Sequence, residues 1–204
     1  MQIIKDPRLL SQSLGPWIVL SNNINDPIAQ GIDLVTNIKG IDPEDHAMLS
    51  INQGEFVWES MSLWNAYKQA SMNAFLVKGG QLKFVQLVNN NPDFTAAFTK
   101  SVQQRLARPG LENSYDFLGV TGQLIGKVIP GAQNFIHTPG LEYCSVDVIR
   151  HLVNACPYLP KEDQIVINNI PAETNPETLW QIILNNPKTF FFYGQWDYTT
   201  GVLA

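Results

Sequence analysis

Three residues in this chain have the types and spacing for acyl-transfer chemistry: Cys144, His46 and Glu59. Cys144 opens the run Cys144-Ser145-Val146-Asp147-Val148-Ile149 after the loop Thr138-Pro139-Gly140, a pattern that predicts a helix starting at the cysteine. A helix start presents unpaired N–H groups and a partial positive charge, both of which favour a thiolate over a thiol. The same position also suits a small buried apolar side chain, so a nucleophile here requires a base and a group to orient that base.

His46 and Glu59 answer that requirement through a hairpin. The runs 46–51 and 55–61 read as strands joined around Asn52-Gln53-Gly54. With Gln53-Gly54 as the two-residue loop, Met48 stands opposite Glu59 and His46 opposite Met61. The strand period of two then puts His46 and Glu59 on one face as diagonal neighbours, about 7–8 Å apart at the backbone. A slip of one residue would separate them onto opposite faces.

In such a site Cys144 is the nucleophile, His46 holds the thiolate as an ion pair and protonates the leaving group, and Glu59 fixes the imidazole. The oxyanion would be met by the Cys144 backbone N–H and by a hydroxyl from Tyr143 or Tyr115. His151 lies seven residues along the same helix, about 10 Å in rise, too far to touch the sulfur. His137 sits in a turn-rich loop without an evident orienting partner, and Cys156, just before Pro157, reads as a structural thiol.

The elements that must position these residues are strands and helices in mixed order, an α+β pattern. Trp17-Ile18-Val19-Leu20 reads as a strand, and Asp26-Pro27 caps a helix carrying Ile28, Ile32, Val35 and Ile38. A second hairpin is expected from Phe75-Leu76-Val77 and the run 82–88. Asn91-Pro92-Asp93 caps a helix with an apolar stripe of Phe94, Phe98, Val102 and Leu106. After the cysteine helix, 164–167 reads as a strand, Asn175-Pro176-Glu177 caps a helix with Leu179, Ile182 and Ile183, and 189–193 reads as a final buried strand.

Composition excludes several classes. The 204 residues are 45% hydrophobic and 15% charged, which suits one ordered domain. The net charge of −5 comes without a Lys/Arg cluster, which argues against nucleic acid as a partner. The two cysteines suit neither a disulfide framework nor a zinc site, and no glycine pattern matches a phosphate-binding loop, so no cofactor is expected. No stretch reads as a signal peptide or a membrane span, so synthesis in a cytoplasm is expected, with virion association as one route outward for a phage-encoded chain.

The motifs HAMLSINQGEFVWES (46–60), SYDFLG (114–119), EYCSVDVI (142–149) and NPETL (175–179), in an order that places the histidine strand before the cysteine helix, resemble the circularly permuted papain-fold families. These are the YiiX-like relatives of the NlpC-type cell-wall peptidases. The resemblance implies a single domain with an antiparallel sheet packed against the nucleophile helix, and residues 62–114 as an elaborated insert. Members commonly carry an acidic residue directly after Cys-Ser, where this chain has Val146 and then Asp147.

It implies a cysteine hydrolase cleaving an amide bond through a Cys-His-Glu triad and an acyl-enzyme, with peptidoglycan stem peptides as the leading substrate. Lipid esters and thioesters are the alternative substrates on the same fold. A non-catalytic structural protein, such as a phage virion component, is the alternative from another class.

Overall fold

The computed structural model describes residues 16–22, 46–51, 56–59, 68–71, 81–108, 144–197 and 202–203. It is an α+β arrangement built on one antiparallel sheet. The strands are β1 (Trp17–Asn22), β2 (His46–Ser50), β3 (Phe56–Glu59), β4 (Lys68–Ser71), β5 (Gln81–Leu87), β6 (Phe190–Asp197) and β7 (Val202–Leu203), in the spatial order β4-β3-β2-β1-β5-β6-β7. Four helices are described: α1 (Pro92–Leu106), α2 (Cys144–Ala155), α3 (Lys161–Asn168) and α4 (Pro176–Asn185).

Hydrophobic alternation decides which way the sheet faces. Ile18 and Leu20 of β1, Ala47 and Leu49 of β2, and Val85 and Leu87 of β5 share one core with Phe94, Phe98 and Val102 of α1. Cys144, Val148 and Leu152 of α2, Ile167 of α3, and Leu179 and Ile183 of α4 belong to the same core. The helices therefore cover this face, because successive strand residues point to opposite sides. Trp17, Val19, Met48 and Phe84, on the other side, are also fully buried. Trp17 meets Phe84 and Tyr193 edge to face at 6.4 and 5.5 Å. The middle strands are therefore packed on both faces.

The two proline-started helices follow their caps. Asn91 is the N-cap of α1 and accepts from the Phe94 N–H at 2.9 Å; Asn175 does the same for α4 through the Thr178 N–H at 2.7 Å. In both, proline occupies the first turn, where its missing N–H costs nothing. The apolar stripe of α1 packs as expected, with Phe94, Phe98 and Val102 buried and Leu106 at the margin.

Three expectations change. The run 164–167 is the middle of α3, a helix. A short β-branched run does not distinguish strand from helix. The deciding signals are Pro160 as N-cap and Glu162 and Asp163 in the first turn. Buried Asp163 then locks the helix, accepting from Asn89 Nδ2 at 2.8 Å and Thr189 Oγ1 at 2.7 Å.

β5 does not form the hairpin expected of it, because β1 and β6 take its two sides; Phe75-Leu76-Val77 lies outside the described residues. β5 sits mid-sheet and α1 packs on α2. The last expected strand is longer than its sequence signal. β6 runs to Asp197, bulges at Tyr193 between the partners of Phe84 and Val85, and buries Phe190 while Phe191 is half exposed. The expected helix after Asp26-Pro27 lies outside the described residues.

Candidate functional site

Cys144 is the first described residue of α2, and the helix continues through Val148 and Leu152 to Ala155 before Pro157. Cys144 is in no disulfide and is buried, 3% exposed, at the helix-side core. The first turn is anchored by Ser145, whose hydroxyl donates to the Thr174 carbonyl at 2.6 Å just ahead of α4. α2 packs on β2 and on α1, so the cysteine helix lies against the strand that begins with His46.

β2 and β3 pair in the expected register: Leu49 faces Trp58 and Ser50 faces Val57. Continued by one step, this register sets Met48 opposite Glu59, with His46 in the same strand phase. Glu59 also pairs across the other side with Lys68 of β4. His46 is half-buried and opposite Ser21. Alternation puts His46, Met48 and Ser50 on the face away from Ala47 and Leu49. As the first residue of β2, His46 would have to reach round the strand end to meet a group on the helix side. Tyr143, Tyr115, His137 and the 138–140 loop lie outside the described residues.

A buried polar network that is not among the sequence-based expectations joins α1 to α2. Arg105 Nε lies 3.4 Å from Asp147 Oδ1, and His151 Nε2 lies 3.4 Å from Asp147 Oδ2. Ser101 Oγ is 2.8 Å from His151 Nδ1, and Asn154 Nδ2 donates to Ser101 Oγ at 2.9 Å. The Ser101 hydroxyl thus bridges the His151 ring and the Asn154 amide, with the direction of the Ser101–His151 bond set by the imidazole tautomer. The visible signal was the pair of i,i+4 spacings, Ser101/Arg105 on one helix and Asp147/His151 on the other.

Ser101 borders a cleft of 590 Å³ with Asp93, Lys100, Gln104, Asn154 and Tyr158. The connectivity has the residue types of a serine relay. Ser101 nevertheless stands in mid-helix, where neighbouring backbone N–H groups are engaged in the helix and leave no oxyanion donors. The network therefore ties α1 to α2. Positive charge is crowded at this seam: Arg150 is held below its usual value, first by burial and then by Arg108 and Arg105.

Cys156 behaves as expected of a structural thiol. It is 3% exposed and donates to Asn168 Oδ1 at 3.5 Å. Burial pushes its thiol up, against smaller opposing effects of Asn168 and Lys161. Among the described residues, no cluster of three or more His, Cys, Asp or Glu is placed to hold a metal, and no helix is long and apolar enough to cross a membrane. Comparison with protein-family models, curated proteins and solved structures finds no match to this chain.

Proposed function

We propose that the chain is a cysteine hydrolase of permuted papain-like design, with Cys144 as nucleophile, His46 as base and Glu59 as the group that orients the imidazole. The observation that carries this reading is the β2–β3 register, since the whole arrangement depended on it and a one-residue slip would have removed it. It is joined by a cysteine outside any disulfide at the start of α2 and by the packing of α2 on β2.

The reaction follows from these roles. The Cys144 thiolate attacks the acyl carbonyl, the tetrahedral intermediate collapses, and the leaving amine takes its proton from His46. Water, deprotonated by the same imidazole, then attacks the thioester, releasing the acid and restoring the thiol. The substrate we favour is an amide in a peptidoglycan stem peptide; lipid esters and thioesters are the competing class.

Purified peptidoglycan and acyl-ester probes separate these classes by which of them is turned over. Cys144→Ala abolishes turnover on this reading, and His46→Ala lowers it by at least about 10²-fold. Undiminished turnover in either folded variant sinks the assignment.

A second reading, a non-catalytic structural or assembly protein, has one observation in its favour. Cys144 is 3% exposed in a core shared with Ala47 and Leu49, while His46 belongs to the opposite strand phase. Iodoacetamide labelling across pH distinguishes the two. A nucleophilic Cys144 labels well below the ordinary thiol pKa of about 8.5, and a packing thiol labels slowly, alongside Cys156.

A further inference from the structure

The α1–α2 ion pair lies one helical turn from the thiol. Asp147 is in the first turn of α2, three residues after Cys144, a spacing that brings side chains to within about 5–6 Å at Cβ. Both residues are buried, Cys144 at 3% and Asp147 at 2% exposure, so solvent screens their interaction little. A carboxylate there opposes a second negative charge on sulfur. Arg105 stands against it, 1% exposed, with Nε 3.4 Å from Oδ1, and a guanidinium keeps its charge throughout the accessible pH range.

We infer that Arg105 is a positioning residue for the Cys144 thiolate: by neutralising Asp147 it leaves the positive end of α2 available to the sulfur. This deepens the hydrolase reading and rests on it for its purpose, though not for its electrostatics.

Other charged groups among the described residues are engaged elsewhere, and Glu173 directly precedes the Thr174 carbonyl that holds Ser145. Asp163 of α3 is held by Asn89 and Thr189, Glu177 of α4 accepts from Gln181 at 2.9 Å, and Lys83 of β5 lies 4.7 Å over the Trp180 ring. β2 contributes His46, and α1 also brings Arg108 toward Arg150. His151 shares Asp147 from the far side while bonded to Ser101. Among the described residues, Arg105 and Asp147 form an ion pair beside the first turn of α2, and their charges act on a thiolate in opposite directions.

That opposition supplies the test. In full-length protein carrying Cys156→Ser, the Cys144 titration is read from ultraviolet thiolate absorbance and from the pH dependence of iodoacetamide labelling. Arg105→Gln moves the midpoint up by about one unit, a tenfold loss of thiolate below it, and Asp147→Asn moves it down. The double variant returns toward the parent, and Arg105→Lys preserves most of the effect.

A purely structural role would loosen the seam in both single variants and would not shift the midpoint in opposite directions. Shifts of the same sign, or no shift in folded protein, overturn the inference. If Arg105→Gln fails to fold, Asp147→Asn and the double variant still read the sign. A parent midpoint at the ordinary thiol value with opposite shifts defeats the hydrolase reading alone. A low parent midpoint without them defeats this inference alone.

Discussion

Ser101 Oγ lies 2.8 Å from Nδ1 of His151, a bond across fifty residues of sequence that joins the middle of α1 to the middle of α2. His151 is 1% exposed and Ser101 8%, so the bond is made away from solvent. Removing the hydroxyl takes a partner from both His151 Nδ1 and Asn154 Nδ2. Ser101→Ala is expected to cost about 1–3 kcal/mol in urea unfolding. A change within experimental error would show that the bond contributes nothing to holding the two helices.

Residues 161–168 offer a sharp check of helix against strand. A strand would put Ile165 and Ile167 on one face, whereas α3 leaves Ile165 61% exposed and buries Ile167 fully. Ile167→Ala should destabilise by about 2–5 kcal/mol and Ile165→Ala by less than about 0.5 kcal/mol. Equal losses at the two sites would contradict the helix.

The two asparagine caps should differ in worth. Asn175 caps α4 through one bond from the Thr178 N–H. Asn91 caps α1 and also donates to the Tyr158 carbonyl at 3.0 Å, tying α1 to the turn after α2. Replacing Asn175 with Ala should cost about 1 kcal/mol, and replacing Asn91 should cost more. Thermal unfolding of the two variants ranks them; the reverse order would mean that the Tyr158 bond is not made.

Stability should decline in alkali in part through Cys156. Its folded-state pKa is raised, chiefly by burial, so between the ordinary thiol value and the raised one the folded form keeps a proton that the unfolded chain has lost. The unfolded state binds fewer protons there, and the slope of unfolding free energy with pH is negative. Below the ordinary thiol value the group contributes no slope. Denaturation midpoints of the wild type and Cys156→Ser, compared from neutral to alkaline pH, should converge as pH rises, because the variant lacks this loss. A constant difference would assign the alkaline decline to other groups.

Local chemistry carried much of the architecture. Asn91-Pro92 and Asn175-Pro176 announce helix starts because a cap oxygen and a proline satisfy the first turn within a few residues of sequence. The start of α2 at Cys144 and the β2–β3 register were legible for the same reason: a turn and the alternation flanking it lie within about fifteen residues. The nature of 164–167 is ambiguous in sequence because a run of four apolar and amide residues fits either period, and Asp163 declares itself only through Asn89 and Thr189.

The α+β class, the capped helices, the cysteine at a helix start and the phase shared by His46 and Glu59 are all legible in the order of residues. Tertiary structure alone decided that β5 lies between β1 and β6, and that α1 belongs to the central core. It alone brought Arg105 to Asp147 and Ser101 to His151. The physical reason is one of range. Caps, turns and strand phase are settled by neighbours along the chain, whereas a buried ion pair between residues some forty apart exists only once two apolar helix faces have packed and excluded the water that would otherwise solvate each charge.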